Sequence, residues 1–139
     1  MTTTEQVLYT GAVRVTGGRD GAARSADGRL DVPLAHFNSR APGTNPEQLL
    51  AAGWGACYLG AIQIAATEAE LAFPKDGAIE VEVDLGLNPG NDFRLQARIK
   101  VELPGIGADA ARRLADRAHA ICPYSKALHA NLRTVTTIV

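Results

Sequence analysis

Cysteine is scarce in this 139-residue chain. The two present, Cys57 and Cys122, are too few for a disulfide-dense secreted module or a thiolate zinc site. Net charge is also nearly missing: 14 Lys and Arg against 15 Asp and Glu leave a formal value of -1, and no basic run stands out. That removes the electrostatic case for a nucleic acid partner or an acidic membrane surface. The three histidines, His36, His119 and His129, form no metal-ligand spacing with the cysteines. Internal repeats and low-complexity stretches are absent. Met1 to Gln6 is polar and acidic, without the basic region and apolar stretch of a targeting signal. The expected location is therefore cytoplasmic, where paired thiols are more often redox-active than structural.

What is present is ordinary for one globular domain spanning residues 1–139. At 14.6 kDa, 46% hydrophobic and 21% charged, the chain can bury roughly two thirds of its unfolded surface without a disulfide scaffold. Leu49 to Thr67 carries no charge and is long enough to span a bilayer. It is built largely of Ala and Gly, includes Gln63 and lacks basic flanks, so a buried helix is expected and no membrane insertion.

Alternation from Val7 to Val15 predicts a first strand, and the glycines of Thr16-Gly17-Gly18-Arg19-Asp20-Gly21 a turn. Short strands are expected at Ala22 to Ser25 and around Leu30, Val32 and Leu34. Asn45-Pro46-Glu47-Gln48 places an N-cap, a first-turn proline, an acid at the positive end of the helix dipole and a capping-box residue in order. The helix should run to about Glu70, apolar on nearly every side as for an enclosed helix. Alternation over Ile79 to Leu87 and Phe93 to Leu103, around Asn88-Pro89-Gly90-Asn91-Asp92, predicts a long hairpin with charged residues paired across its outer face. A helix from Ala108 to Ala120, with Ala111, Leu114, Ala115 and Ala118 inward, precedes a short helical piece at Cys122 to Ala130 and a strand from Leu132. The order βββ-α-ββ-α-α-β implies an α+β fold, an antiparallel sheet packed on a long central helix.

Four residues are candidates for chemistry. Cys57 lies about three turns inside the central helix, beyond reach of its dipole, so a reactive thiolate there needs a cation from another segment. Otherwise it is a core cysteine acting as a small hydrophobe. Cys122, before Pro123, sits where an N-cap would, and local logic makes it the more acidic thiol. Arg19 occupies a glycine-rich turn. Glu47 is explained by the helix dipole alone.

Taken together, Thr16 to Gly21, Thr44 to Gly53, Ala56 to Ala61 and His119-Ala120-Ile121-Cys122-Pro123-Tyr124-Ser125 resemble the organic hydroperoxide resistance proteins, the Ohr branch of the OsmC/Ohr superfamily. The resemblance covers nearly the whole chain in matching order and spacing. Trp54, Tyr58 and Lys126-Ala127-Leu128 depart mildly from the usual pattern.

This resemblance implies an intertwined homodimer and a thiol peroxidase acting on organic or lipid hydroperoxides. Cys57 would be the peroxidatic thiol and Cys122 the resolving one, reversing the local preference. Arg19 would contact the Cys57 thiolate and the peroxide, and Glu47 would hold Arg19. A disulfide between Cys57 and Cys122 would be reduced by dihydrolipoamide on a lipoylated protein, with no bound cofactor or metal. An apolar site around Trp54 and Tyr58 would favour organic peroxides. The competing readings are an OsmC-branch peroxidase, a lipid-binding dimer with inert thiols and an oxidation sensor.

Overall fold

The computed structural model describes residues 5–139, which form two compact units, one ending at Pro46 and the other comprising Glu47–Val139. In the first, β1 (Val13–Thr16), β2 (Ala22–Ser25) and β3 (Asp31–Pro33) make an antiparallel sheet in the order β1-β2-β3. A one-turn 3-10 helix, Gly18–Asp20, joins β1 to β2. Gly17 and Gly18 there have φ of 73° and 59°, the left-handed region, and a side chain at Gly21 would strike the Thr16 carbonyl oxygen. The turn that presents Arg19 therefore depends on its glycines.

The strand expected from Val7 begins only at Val13. Ladder pairing needs a partner, and β2 supplies none beyond Ser25; only Ala12 C=O is reached, by the Ala26 amide. Val7, Leu8 and Tyr9 are 69%, 87% and 80% exposed, so an alternating sequence is not enough without a neighbour to pair with.

The second unit is built on α1 (Pro46–Glu68), β4 (Ala78–Asn88), β5 (Asp92–Glu102), α2 (Ala108–Ile121), α3 (Pro123–Leu128) and β6 (Arg133–Ile138). α1 begins at the expected proline, leaving Asn45 at the N-cap position. β4 and β5 pair antiparallel in full register from Ala78 opposite Glu102 to Asn88 opposite Asp92. β6 lies on the other side of β5 and runs parallel to it, so this sheet is mixed, correcting the antiparallel expectation. The reason is the path: α2 and α3 form a crossover that returns the chain to the start of β5 before β6 begins.

Ala97, Ile99 and Val101 of β5, Ala111, Leu114, Ala115 and Ala118 of α2, and Trp54, Tyr58, Ala61 and Ile62 of α1 share one core. The inward face expected for α2 is the one observed. On the outer face Arg98 forks onto Asp84 at 2.7 and 2.8 Å and approaches Glu82 at 3.5 Å, holding the Asp84 carboxyl well below the usual range.

α1 departs from expectation. It is long and apolar enough to cross a bilayer by length and composition, yet it is neither enclosed on all sides nor amphipathic. Trp54, Tyr58, Ala61, Ile62, Ala65 and Ala66 are buried in the core, whereas Ala52, Ala56 and Ile64 face outward with no charge among them. Composition reports how apolar a helix is, not whether its own chain supplies enough surface to cover it.

Candidate active site

The two cysteines, sixty-five residues apart in sequence, meet. Cys122 Sγ–H donates to Cys57 Sγ at 2.9 Å, beyond the S–S bond length of about 2.05 Å, so both are free thiols in contact. They differ in access: Cys122 is fully buried, while Cys57 is only partly so.

Local rules place each sulfur. Cys57 projects from the middle of α1, one turn after Gly53. Cys122 closes α2, its amide donating to Ala118 C=O, and caps α3, its Sγ accepting from the Ser125 amide at 3.5 Å. Pro123 takes the first helical position, where its missing N–H costs nothing. The N-cap role expected for Cys122 is therefore present. The next amide along, that of Tyr124, donates to Cys57 and favours its thiolate. Burial opposes this more strongly, and the hydrogen bond and charge of Cys122 add to burial, so the Cys57 thiol is pushed up.

Tyr124 also explains Gly53. A Cβ on Gly53 would come within 2.8 Å of the Tyr124 hydroxyl and 3.1 Å of its ring, so the glycine lets that ring lie on α1 beside Cys57. At 41% exposure, Tyr124 gives the site an aromatic wall that also meets solvent.

Trp54 and Tyr58 do not line a substrate cleft, contrary to expectation. Both are 0% exposed, and each buries its polar end on a partner: Trp54 Nε1–H donates to Ser125 Oγ at 3.0 Å and Tyr58 O–H to Ala115 C=O at 2.8 Å. Their size and aromaticity suit a core as well as a cleft, and position on α1 settles which. Of the four candidate residues, Cys57 and Cys122 are brought together within the second unit. Arg19 sits in the 3-10 turn of the first, and Glu47 in the first turn of α1.

Sequence reasoning assigned no role to three residues, Ser125, His119 and Thr136, of which Ser125 reaches Cys122 through its amide. Ser125 is 2% exposed, and His119 stands between Ser125 Oγ and Thr136 Oγ1 at 2.9 Å each. His119 stacks on Tyr58, with centroids 4.4 Å apart, and lies 4.3 Å from the His129 ring. Burial first, then His129, pushes its imidazole down to about 4. His119 and Ser125 both lie within the Cys-Pro-Tyr-Ser motif region, a signal that could have drawn attention to them. Among the described residues no group of three or more His, Cys, Asp or Glu side chains is arranged to hold a metal.

Residues 37–137 match the family described as OsmC-like protein. The chain belongs to the OsmC-like family. Among relatives, it is 46% identical over 131 residues to an uncharacterised protein of Acinetobacter baylyi, covering 92% of this chain and 91% of that one. It is 37% identical over 142 residues to an organic hydroperoxide resistance protein of Xanthomonas axonopodis pv. citri, with 99% of each covered. The solved structure of the organic hydroperoxide resistance protein OhrB of Bacillus subtilis superposes with a TM-score of 0.90 at 34% identity, covering 96% of this chain and 100% of that one. This family assignment agrees with the resemblance carried by the four sequence motifs, and the α+β architecture with its long helix matches the OsmC-like fold.

Proposed function

We propose that this protein is a thiol-dependent peroxidase that reduces organic hydroperoxides to alcohols. The observation that carries the reading is the contact between a partly exposed and a fully buried thiol. Cys57, the partly exposed residue of the two, is the one open to a peroxide, and the fully buried Cys122 is already in place to resolve it. That assignment agrees with the family resemblance and opposes the helix-cap argument, because access outweighs local acidity for the thiol that meets substrate. The naming of relatives as organic hydroperoxide resistance proteins supports the substrate class.

In this scheme the Cys57 thiolate attacks the terminal peroxide oxygen. The O–O bond breaks, the alkoxide leaves and takes a proton to become the alcohol, and Cys57 becomes a sulfenic acid. Cys122 then forms the S–S bond, and water departs with the sulfenic oxygen. A dithiol, dihydrolipoamide on a lipoylated protein by the family resemblance, returns both thiols and is itself oxidised to a disulfide.

Burial and the Cys122 hydrogen bond push the Cys57 thiol up, so a nearby cation would favour the reactive thiolate. Even an ordinary thiol near 8.5 is only a few per cent ionised at pH 7, so complete ionisation gains about 30-fold, or about 2 kcal/mol. Stabilising charge on the leaving oxygen must supply more. Arg19 takes both tasks in this reading, and Glu47 aims its guanidinium through a bidentate pair. Both roles rest on the family resemblance of the Thr16 to Gly21 and Thr44 to Gly53 motifs. Arg19→Lys keeps the charge but loses the fork, and peroxide turnover should fall by about tenfold or more; near-normal kcat/KM would remove Arg19 from the mechanism.

The same reading takes residues 1–139 as a single working domain of a cytoplasmic homodimer. Uncovered apolar side chains in each unit, Val7, Leu8 and Tyr9 in one and Ile64 in the other, support a second copy as their cover.

The deciding experiment is anaerobic thiol titration of the reduced protein after one equivalent of cumene hydroperoxide, repeated with hydrogen peroxide and followed by dihydrolipoamide. The expected result is loss of two thiols per chain, faster with the organic peroxide and reversed by dihydrolipoamide. Two thiols surviving minutes of exposure would leave the fold without the chemistry and favour a binding module.

A further inference from the structure

Four buried or half-buried polar groups near the thiols belong to four different elements: Trp54 on α1, Ser125 on α3, His119 on α2 and Thr136 on β6. With the His119 ring as its Nε2–H tautomer, their donors and acceptors follow. The Trp54 indole only donates, so Ser125 Oγ accepts from it and has its own hydrogen left for His119 Nδ1. A neutral imidazole that accepts at Nδ1 donates at Nε2, and Thr136 Oγ1 accepts that hydrogen. The result is one directed chain, Trp54 to Ser125 to His119 to Thr136, and no buried side-chain polar atom among the described residues is left without a partner.

Ser125 is bound at both ends. Its hydroxyl belongs to this chain, and its amide donates to Cys122 Sγ at 3.5 Å, while the preceding amide, that of Tyr124, donates to Cys57. Consecutive amides in the first turn of α3 thus address the two sulfurs, and the orientation of that turn sets how they meet. Trp54 lies one turn before Cys57 on α1, so its bond to Ser125 ties the backbone carrying one thiol to the backbone carrying the other.

We propose that His119 is a positioning residue for disulfide formation: held by Thr136, it fixes Ser125, and through Ser125 the first turn of α3, so that Cys122 Sγ stays within reach of Cys57 Sγ. The inference rests on the peroxidase reading for its reaction. In that step the sulfenic acid of Cys57 and the thiol of Cys122 become a disulfide and water. The sulfenic sulfur is reduced by one electron equivalent and the Cys122 sulfur oxidised by one. From 2.9 Å the sulfurs need to close by less than about 1 Å, so small displacements of α3 govern the rate. His119 touches neither sulfur and takes no proton in the step. A buried hydroxyl-imidazole-hydroxyl chain suits such a task because directional bonds hold one geometry, whereas apolar packing tolerates several.

The test separates the two phases of a single turnover by stopped flow with cumene hydroperoxide, using wild type, His119→Leu, His119→Asn and Thr136→Val. Peroxide consumption reads sulfenic acid formation, and loss of the second thiol reads the disulfide. In His119→Leu the first phase should stay within about twofold of wild type and the second should slow by about tenfold or more, with dimedone trapping more sulfenic acid. The Asn side chain can still accept from Ser125, so His119→Asn should recover the second phase to within about threefold of wild type. Thr136→Val should slow only the second phase, by a few-fold, and this variant with His119→Asn decides the matter if His119→Leu does not fold. An unchanged second phase, or equal slowing of both, overturns the proposal. If wild type consumes no peroxide, the peroxidase reading fails separately, and the variants are compared by the rate at which diamide closes the same disulfide. There, an unchanged rate in His119→Leu overturns the positioning role.

Discussion

α1 and α2 are both alanine-rich helices packed into one core, and they treat their remaining faces in opposite ways. α2 buries Ala111, Leu114, Ala115 and Ala118 and turns Arg112, Arg113, Asp116 and Arg117 outward. α1 buries six of its 23 residues and turns Ala52, Ala56 and Ile64 outward, with Ile64 52% exposed. Charge on the far face of α2 marks a surface built for water. On α1 charge is confined to the ends, Glu47 and Glu68, and Ala52, Ala56 and Ile64 between them offer water nothing polar, the face the proposed dimer would use.

The sharpest way to break this contrast is a charge on each uncovered face. Ile64→Glu would bury an unpaired carboxylate at the proposed dimer interface, costing about 3–5 kcal/mol and leaving monomer in sedimentation equilibrium at micromolar protein. Arg113→Glu on α2 should leave assembly unchanged. Equal dimer content in both variants would mean that α1 is not an interface. The inner faces should behave alike: Leu114→Ala removes buried methyls from the core and should lower unfolding free energy in urea by about 2–4 kcal/mol.

A third test concerns the link between the helices. His119 titrates near 4 in the folded protein and near 6.5 when unfolded, so between those values the unfolded chain binds the extra proton. Its contribution is whole above about pH 6.5 and declines as pH falls toward 4, by about 2 kcal/mol once partial exposure is discounted. The urea midpoint of wild type should fall across that window more than that of His119→Asn. Asp84, Glu68 and Asp27 have lowered values and lose their contributions only below about pH 4.5, leaving most of the window to His119. The smallest effect is expected where the helices meet in water: Arg117→Ala removes the exposed pair with Glu68 and should barely move the midpoint.

The legible parts of the fold were those whose cause is local. The period of Ala111, Leu114, Ala115 and Ala118, the proline that opens α1 and the alternation of β4 and β5 all carry their reason within a few residues. Residues 7–12 alternate as well as any strand here, but the partner they lack is not written in their own sequence. The direction of β6 and the burial of Trp54 and Tyr58 depend on where distant segments return. The thiol pair was legible from spaced motifs, whereas the serine and histidine that hold its geometry look in sequence like residues of a helix end.

The parallel pairing of β6 with β5 has a consequence in time. A parallel pair cannot close until its crossover is complete, and here that crossover contains Cys122 and Ser125, the hydrogen-bond partner of Trp54. Synthesis delivers Cys57 first, then Cys122, and only afterwards the strand carrying Thr136. Such non-local pairing is slow to form. The hydrogen-bonded series from Trp54 through Ser125 and His119 is therefore complete only once the strand carrying Thr136 has been made and has joined β5.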